Sequence, residues 1–395
     1  MSAESLPGAQ PRNPSQRVRL VTLLTGIVTL VVVMGMGRFS LTPQIPLMIA
    51  DHHLLLSSAG VLAAMNYIGY LLGALQVSRL RQHHARYLKS GLLATALVTL
   101  LSGFTADFTL QCLFRFIAGI GGAWALILVT SWTQMVLAAE GAPRMSAAVF
   151  TGPGIGITLT GVLAWLMAQF HLHDATAWCV YGVVALAGAL LVWRALPAAL
   201  PARQQTQAAT LSPALKRLLI AYTLAGFGYI LPATFLSQMA HSLFASGQRA
   251  ALFWPLFGVA AIAGVLLVIA CAPRINTRIS LALVMMMQGF GVAAVVMLPG
   301  AGGLLLATVV IGLAFLSIMQ LSMRLARELT SGNLAKTVAV LTSGYATGQL
   351  IGPLVSSASV HLFASLQPAL GLAAVGLIAG GWIVLQARSA PEQTK

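Results

Sequence analysis

Residues 20–49 read LVTLLTGIVTLVVVMGMGRFSLTPQIPLMI, an apolar run whose one charged residue is Arg38. A bilayer core takes roughly 20 apolar residues per helical crossing, so this run is long enough to cross it. The whole chain has the same character, because 58% of its 395 residues are hydrophobic and only 7% are charged. In soluble domains, roughly a quarter of the residues are charged. The sequence therefore predicts an integral membrane protein and excludes an ordinary soluble one.

Eleven further apolar runs follow, and a hydrophilic stretch rich in Pro, Ala, Gln and Thr separates the twelve into two sets of six. We expect an all-α integral membrane protein with twelve transmembrane helices in two parallel six-helix repeats. The predicted parts are a disordered tail at 1–17, a bundle at 18–196, a flexible linker at 197–215, a bundle at 216–388 and a second tail at 389–395. The predicted segments lie near 20–49, 57–78, 88–106, 109–131, 146–169, 177–195, 216–239, 249–271, 279–298, 302–323, 338–360 and 368–386.

The 22 Lys and Arg residues outnumber the 7 Asp and Glu residues, which gives a formal charge of +15. The basic residues lie singly between apolar runs and form no aromatic and basic cluster, so we expect no nucleic-acid partner. Short loops rich in Lys and Arg stay cytoplasmic. When loops are assigned to alternate sides, 19 of the 22 basic residues fall on one side. This predicts a multi-pass protein of a bacterial-type inner membrane with both termini in the cytoplasm.

The two halves of the chain resemble each other after a shift of 191 positions. Six glycines then fall on glycines, where chance gives about two such matches. The shift also maps segments 1, 2, 4 and 5 onto 7, 8, 10 and 11, as parallel repeats require. It places Tyr229 at the repeat position of Arg38. The matched glycines are Gly35 with Gly226, Gly37 with Gly228, Gly73 with Gly264, Gly121 with Gly312, Gly141 with Gly332, and Gly161 with Gly352.

Short motifs in the first half carry a family resemblance. The loop after segment 2 partly keeps the pattern G-x-L-x-D-R-x-G-R, and segment 5 keeps half of the exporter motif G-x-x-x-G-P-x-x-G-G. Two longer strings are more specific, GMGRFSLTPQIPLM at 35–48 and NYIGYLLG at 66–73. The matching positions of the short motifs are Gly73, Leu75 and Arg81 in the loop, Arg115, Gly119, Gly121 and Ala123 in segment 4, and Gly152, Pro153 and Gly156 in segment 5.

With these motifs, residues 18 to 388 resemble the major facilitator superfamily, and the two strings resemble its YbfB/YjiJ-type branch. The resemblance implies a secondary transporter that works by alternating access, and the exporter motif favours efflux. It implies no particular substrate. Gly152 and Pro153 would then serve coupling or gating. Pro43 is expected to bend the outer part of helix 1, for gating or for packing.

Two arginines, Arg38 and Arg115, fall inside apolar segments. An intramembrane guanidinium costs about 2.5 to 3.5 kcal/mol on insertion scales and needs a compensating partner. No acidic residue falls mid-membrane, so the two cations together predict an anion-binding site. The alternative is a structural role in which each arginine caps carbonyl groups of a neighbouring helix or pairs with an aspartate, as Arg115 would with Asp107.

Neutral polar residues could complete this site. Asn66 and Tyr70 share one face of segment 2, where they either orient a substrate or hold helices together. In the second half, Tyr229 and Gln349 would contact the substrate from the opposite side. Asp51, like Asp107, lies at an outer helix end, and these two carboxylates are the candidates for proton coupling.

The sequence thus predicts a transporter of a small organic anion or amphipathic metabolite, acting in export. We expect a monomer whose partners are the substrate and the lipid bilayer, with no cofactor and no metal. Nucleotide-binding and catalytic motifs are absent. The alternatives are a multidrug or sugar exporter with a neutral cavity and structural arginines, and, more remotely, a membrane-embedded enzyme or sensor.

Overall fold

The computed structural model describes residues 14–80, 82–200, 211–271, 274, 276–330 and 334–387. In this part of the chain twelve long helices, α1 to α12, follow one another without any strand. Three are interrupted: α1 (Pro14–Leu30, Val31–Phe39 and Leu41–Ala50), α5 (Met145–Ala148 and Thr151–Gln169) and α8 (Gly247–Ala251 and Phe253–Cys271). The others are α2 Leu56–Arg79, α3 His84–Leu101, α4 Phe108–Ala139, α6 Asp174–Val192, α7 Pro213–Leu243, α9 Thr277–Met297, α10 Ala301–Leu329, α11 Leu334–Phe363 and α12 Gln367–Leu385.

The predicted all-α membrane architecture is confirmed. Eleven of the helices are long and apolar enough to cross a membrane. The remaining one, α11, has 30 residues and packs between α2 and α7. Most of the predicted tails and the linker residues 201–210 lie outside the described residues, while α1 begins at Pro14 and α7 at Pro213.

An even number of crossings brings both ends of the helical region to one face. Arg217 at the start of α7 donates a hydrogen bond of 2.6 Å to the carbonyl of Gln386, just after α12. We call this face the terminal side and the opposite face the far side. Helix α1 therefore runs from the terminal side to the far side.

Glycine allows helices to approach closely inside each half. A Cβ built on Gly35 of α1 would lie 2.5 Å from the Cα of Gly156 in α5. A Cβ on Gly73 of α2 would lie 2.7 Å from the carbonyl oxygen of Ile120 in α4. In a membrane, such backbone proximity lets van der Waals packing hold helices together without a hydrophobic driving force.

The two halves meet along two helix pairs, α2 with α11 and α5 with α8. Glycine again lies at both contacts, since a Cβ on Gly60 would lie 2.1 Å from the carbonyl oxygen of Pro353. A Cβ on Gly161 would lie 2.4 Å from the backbone nitrogen of Pro255. The pairs α2/α11 and α8/α5 are related by the internal repeat, so the halves are arranged about a pseudo-twofold axis.

One hydrogen bond lies at this axis. The Thr42 hydroxyl of α1 donates to the Ala233 carbonyl of α7 over 2.9 Å, and these positions are 191 residues apart. This separation equals the shift found in the sequence. Positions related by the repeat therefore touch each other, and the parallel-repeat prediction has a direct structural counterpart.

Helix α1 changes its geometry in the middle of its length. Residues Val31–Phe39 are π-helical, and the Ser40 N–H donates to the Gly35 carbonyl five residues earlier. After this turn the α-helix resumes, with Pro43 in its first turn, where a missing N–H costs little, and Pro46 further inside. A π-helical insertion rotates the following side chains relative to the preceding ones, and such insertions are frequent at functional sites.

Candidate functional site

A small cavity with room for about one water molecule lies between the two halves, beside the contact at the axis. Helices α1 and α2 form its wall in the first half and α7 forms its wall in the second. Its lining residues are Arg38, Phe39, Leu41, Thr42, Ala63, Asn66, Tyr67, Ile230, Ala233 and Thr234.

Arg38 is the charged group of this cavity. Its side chain is buried, with 7% of the residue exposed, and its Nε and Nη2 atoms have no hydrogen-bond partner. Three aromatic rings surround the guanidinium carbon, at 4.6 Å for Tyr67, 5.1 Å for Tyr70 and 5.4 Å for Phe39. The guanidinium is thus desolvated, contacted by ring faces, and has unused donors.

No carboxylate in the described part of the chain forms an ion pair with Arg38. The acidic residues there lie at helix ends and in loops, and several have other partners. A buried cation without a counter-ion is costly, so an anion entering from outside the chain would gain strongly from it. The acidic residues concerned are Asp51, Asp107, Glu140, Asp174 and Glu328.

The second half offers neutral groups opposite Arg38. The Tyr229 hydroxyl accepts a hydrogen bond from Gln349 Nε2, while Gln349 Oε1 has no partner. The Tyr229 ring stacks on Phe315 at 4.5 Å and lies parallel to Tyr345 at 5.7 Å. The structure therefore brings Tyr229 and Gln349 together, as the sequence analysis expected, and adds two aromatic rings to them.

Asn66 and Tyr70 of α2 also lie next to Arg38. The Asn66 amide donates to the Arg115 carbonyl at 3.0 Å, while Asn66 Oδ1 has no partner. Tyr70 packs against Ala346 of α11, so its ring lies where the halves meet. Asn66 thus holds α4 with its nitrogen and leaves an acceptor unused beside the cavity.

Arg115 has a different environment from Arg38. Its Nη1 donates to the Gly37 carbonyl at 2.9 Å, its Nη2 donates to the Ser102 hydroxyl at 3.3 Å, and its guanidinium lies 4.5 Å from the Trp178 ring. It therefore connects α4 with α1, α6 and the turn after α3, inside the first half. It does not line the cavity, which agrees with the structural alternative, although its partner is not Asp107.

The two carboxylates proposed for coupling lie away from the cavity. Asp107 caps α4 by accepting the Leu110 N–H at 2.8 Å. On the far side, Asp51 accepts the Asp174 N–H at 2.8 Å and contacts His173 Nδ1 at 3.0 Å. Asp51 therefore ties the end of α1 to the start of α6.

A second pair reinforces this connection. His53 Nδ1 lies 3.0 Å from a carboxylate oxygen of Asp174. Partial burial opposes a low pKa for Asp51, but the Asp174 N–H and the His173 ring lower this pKa below its ordinary value. The same contact with Asp51 raises the pKa of His173. We call these four residues the far-side cluster.

The residues expected in gating lie in helix α1 and at its contact with α5. Pro43 follows the cavity residue Thr42. A Cβ on Gly152 would lie 2.8 Å from the Cβ of Leu30, so Gly152 lets α5 pack closely on α1, and Pro153 is buried beside it. Gly152 and Pro153 lie within the first half and do not line the cavity.

The sequence analysis missed two aromatic residues of the site, Phe39 and Tyr67. Both are adjacent to residues that it selected, Arg38 and Asn66, and both contact the guanidinium. Tyr67 lies beside the helical face that Asn66 and Tyr70 share, so a pattern of polar residues on one face does not select it. An aromatic ring attracts a cation through its face, so any aromatic residue near a buried arginine is a candidate.

Family membership follows from the sequence. A family model described as "Uncharacterised MFS-type transporter YbfB" matches residues 30–385. The chain belongs to this family. The expected membership of the major facilitator superfamily and of its YbfB-type branch is therefore confirmed. This MFS-type transporter is not an enzyme, and like other MFS proteins it acts on small-molecule substrates within a membrane. No curated protein matches the chain significantly.

Solved structures share the transporter's fold. A mutant of the nucleoside transporter NupG matches with a TM-score of 0.73 and 14% identity, covering 94% of this chain and 99% of that one. A bacterial homolog of human lysosomal Spinster, inward-facing and unoccupied, matches with a TM-score of 0.71 and 13% identity, covering 97% and 100%. A further NupG structure gives 0.70 and 15%, covering 94% and 98%. At these identities the likeness shows the fold alone.

Proposed function

We propose that this transporter carries a small organic anion, or an amphipathic metabolite with an anionic group, out of the cell by alternating access. The observation that carries the proposal is Arg38, a buried cation between the two halves with two unused donor atoms and, among the described residues, no carboxylate partner. A guanidinium fork matches the geometry of a carboxylate or phosphate group. Placed at the axis, it would hold a substrate that both halves contact.

The remaining groups support the same ligand. Asn66 Oδ1 and Gln349 Oε1 are buried acceptors without partners, and they suit hydroxyl or amide hydrogens on the rest of the substrate. The aromatic rings of Tyr70 and Tyr229 provide an amphipathic surface beside them. The exporter motif around Gly152 favours efflux.

The proposed membrane location follows from the distribution of charges. The proposed monomeric state follows from the presence of both halves in one chain. The excess of basic residues on the terminal side supports a bacterial-type inner membrane with cytoplasmic termini. A monomer suffices, because one chain supplies both walls of the cavity.

Reconstituted liposomes test the proposal. We would measure flux of labelled succinate, benzoate and phthalate against neutral amides of the same acids, sugars and cationic dyes, with and without a pH gradient. We expect anion flux that exceeds the flux of the matching amide and that falls at least tenfold in Arg38→Gln. Arg38→Lys, which keeps the charge but loses the planar fork, should retain part of the flux.

Two results would contradict the proposal. Flux of dyes or sugars alone would make the transporter a multidrug or sugar exporter with a structural Arg38. Anion flux that is unchanged in Arg38→Gln would remove Arg38 from the site. A size-exclusion profile and an unfolding temperature for each variant separate loss of function from loss of folding.

A further inference from the structure

Arg38 needs groups that compensate its charge whenever no anion is bound to it. The guanidinium is buried, and the three rings of Phe39, Tyr67 and Tyr70 are its closest charge-compensating groups in the described part of the chain. We call these three rings the aromatic cage. A cation–π contact shifts an equilibrium by roughly twofold when exposed and by about thirtyfold when desolvated. Three such contacts provide much of the stabilisation that a counter-ion would give to the buried charge of Arg38.

The cage also closes the site. The cavity has room for about one water molecule, so the rings occupy the volume that a substrate would need. Phe39 reaches into the second half, with its ring 5.8 Å from Phe315 and 6.3 Å from Trp254. At the axis, the hydrogen bond from Thr42 to Ala233 joins the halves. The two halves are therefore packed closely around Arg38.

We propose that the aromatic cage stands in for the substrate in the empty transporter, so that the unloaded protein closes and changes its orientation. This inference rests on the proposed function at Arg38. It assigns the transport mode: the protein carries its anion in one direction without needing a second anion for the return step. Tyr67 and Tyr70 are positioning residues that set this mode.

The physical reason is the cost of an uncompensated buried charge. A transporter whose central cation lacks any partner cannot close when empty, because closure would strip water from a bare guanidinium. Such a protein exchanges one anion for another. Here the rings compensate the cation during the return step, and an arriving carboxylate displaces them, because a charge-assisted hydrogen bond is stronger than a ring contact.

Matched substitutions separate compensation from simple packing. Phenylalanine at both tyrosine positions keeps the ring face and removes only the hydroxyl. Leucine keeps an apolar side chain and removes the ring. If the cage acts through its rings, the double variant Tyr67→Leu/Tyr70→Leu differs strongly from Tyr67→Phe/Tyr70→Phe, because both lack the hydroxyls and only the second keeps the ring faces. Where the double leucine variant does not yield folded protein, the single variant Tyr67→Leu, which removes the nearest ring, replaces it.

The first experiment uses no substrate. Thr234 of the cavity is changed to Cys in a background where Cys112, Cys179 and Cys271 are Ser, and a water-soluble maleimide labels the purified protein. We expect the leucine variant to label at least about tenfold faster than wild type, since loss of the cage favours an open, hydrated site. The phenylalanine variant, which keeps the rings, should label much more slowly than the leucine variant. Equal labelling of all three proteins would overturn the inference.

The second experiment compares two modes in liposomes, with labelled succinate, benzoate and phthalate. Net efflux is measured into anion-free buffer, and exchange is measured into buffer with the same anion. We expect wild type to show both modes, and the ratio of net efflux to exchange to be about tenfold lower in the leucine variant than in the phenylalanine variant. Wild-type flux by exchange alone would overturn the inference and leave the proposed function standing. Absence of anion flux in both modes would reject the proposed function, while the labelling result still decides whether the cage closes the empty site.

Discussion

At the scale of single residues, two arginines with the same sequence signal have different surroundings. The sequence predicts that both arginines lie inside apolar segments, because the hydropathy pattern shows where each apolar run begins and ends. It could not identify the partners of Arg115, because one is the backbone carbonyl of Gly37, and carbonyl groups occur at every position. The sequence distinguishes the two candidates by Gly35 and Gly37 beside Arg38, where a ligand can approach closely, and by Asp107 as a possible partner of Arg115.

Arg115 offers a residue-scale prediction. We expect Arg115→Met to lower the free energy of unfolding by about 1 to 3 kcal/mol, because it leaves the Gly37 carbonyl and the Ser102 hydroxyl without their donor. Thermal unfolding of the purified protein in detergent measures the change. Arg38→Gln is the comparison: the Nε and Nη2 atoms of Arg38 have no partner, so we expect a smaller change in the free energy of unfolding than in Arg115→Met. A wild-type unfolding temperature together with lost anion flux would instead return Arg115 to the substrate site.

At the scale of elements, helix α1 combines predictable and unpredictable features. Its length follows from the apolar run at 20–49, and Pro43 marks the place where regular hydrogen bonding weakens. The π-helical segment Val31–Phe39 is not readable in the sequence, because it depends on contacts with α3, α4 and α5. Gly35, for example, fits there only because Gly156 lies opposite.

The far-side cluster, which joins the ends of α1 and α6, gives a pH prediction. The raised pKa of His173 means that its contact with Asp51 stabilises the fold fully below the ordinary histidine value of about 6.5 and is lost as pH rises through the raised value. The lowered pKa of Asp51 means that its contribution is present above about 4 and is lost in stronger acid. The contact is therefore strongest between about pH 4 and 6.5.

His173→Gln keeps a hydrogen-bond donor but removes the titrating charge. We expect wild type to unfold at a higher temperature than this variant at pH 5.5, and the difference to shrink at pH 8.5. His171→Gln, a change two positions earlier in the same loop, controls for the loss of a histidine. A difference that is independent of pH would show that the charge of His173 does not contribute.

At the scale of the whole molecule, the repeat makes much of the architecture predictable. Twelve apolar segments, the polar linker and the shift of 191 give the helix count and the pairing of halves. The closed cavity was not predictable, since it depends on how rings from different helices pack. Tyr229 and Tyr345, for instance, are 116 positions apart but lie parallel at 5.7 Å.

A cross-link tests whether the halves separate at the axis. Cysteines at positions 42 and 233, in a background without the native cysteines, should form a disulfide on oxidation, because the Thr42 side chain contacts the backbone of Ala233. We expect the cross-link to abolish substrate flux and a reductant to restore it. Each single cysteine variant, oxidised in the same way, serves as control. Full cross-linking with unchanged flux would mean that this contact stays closed throughout transport.

The axis through the molecule relates Arg38 to Tyr229, and this pair breaks the symmetry of an otherwise duplicated framework. Two arginines would form a pocket with identical ends, suited to a dianion that binds equally well in either direction. With one arginine and one tyrosine, the pocket is asymmetric: it has a charged side in the first half and an uncharged side in the second. Under the proposed function, a substrate held there would bind in one orientation, with its anionic end at Arg38, and would keep that orientation while the halves move.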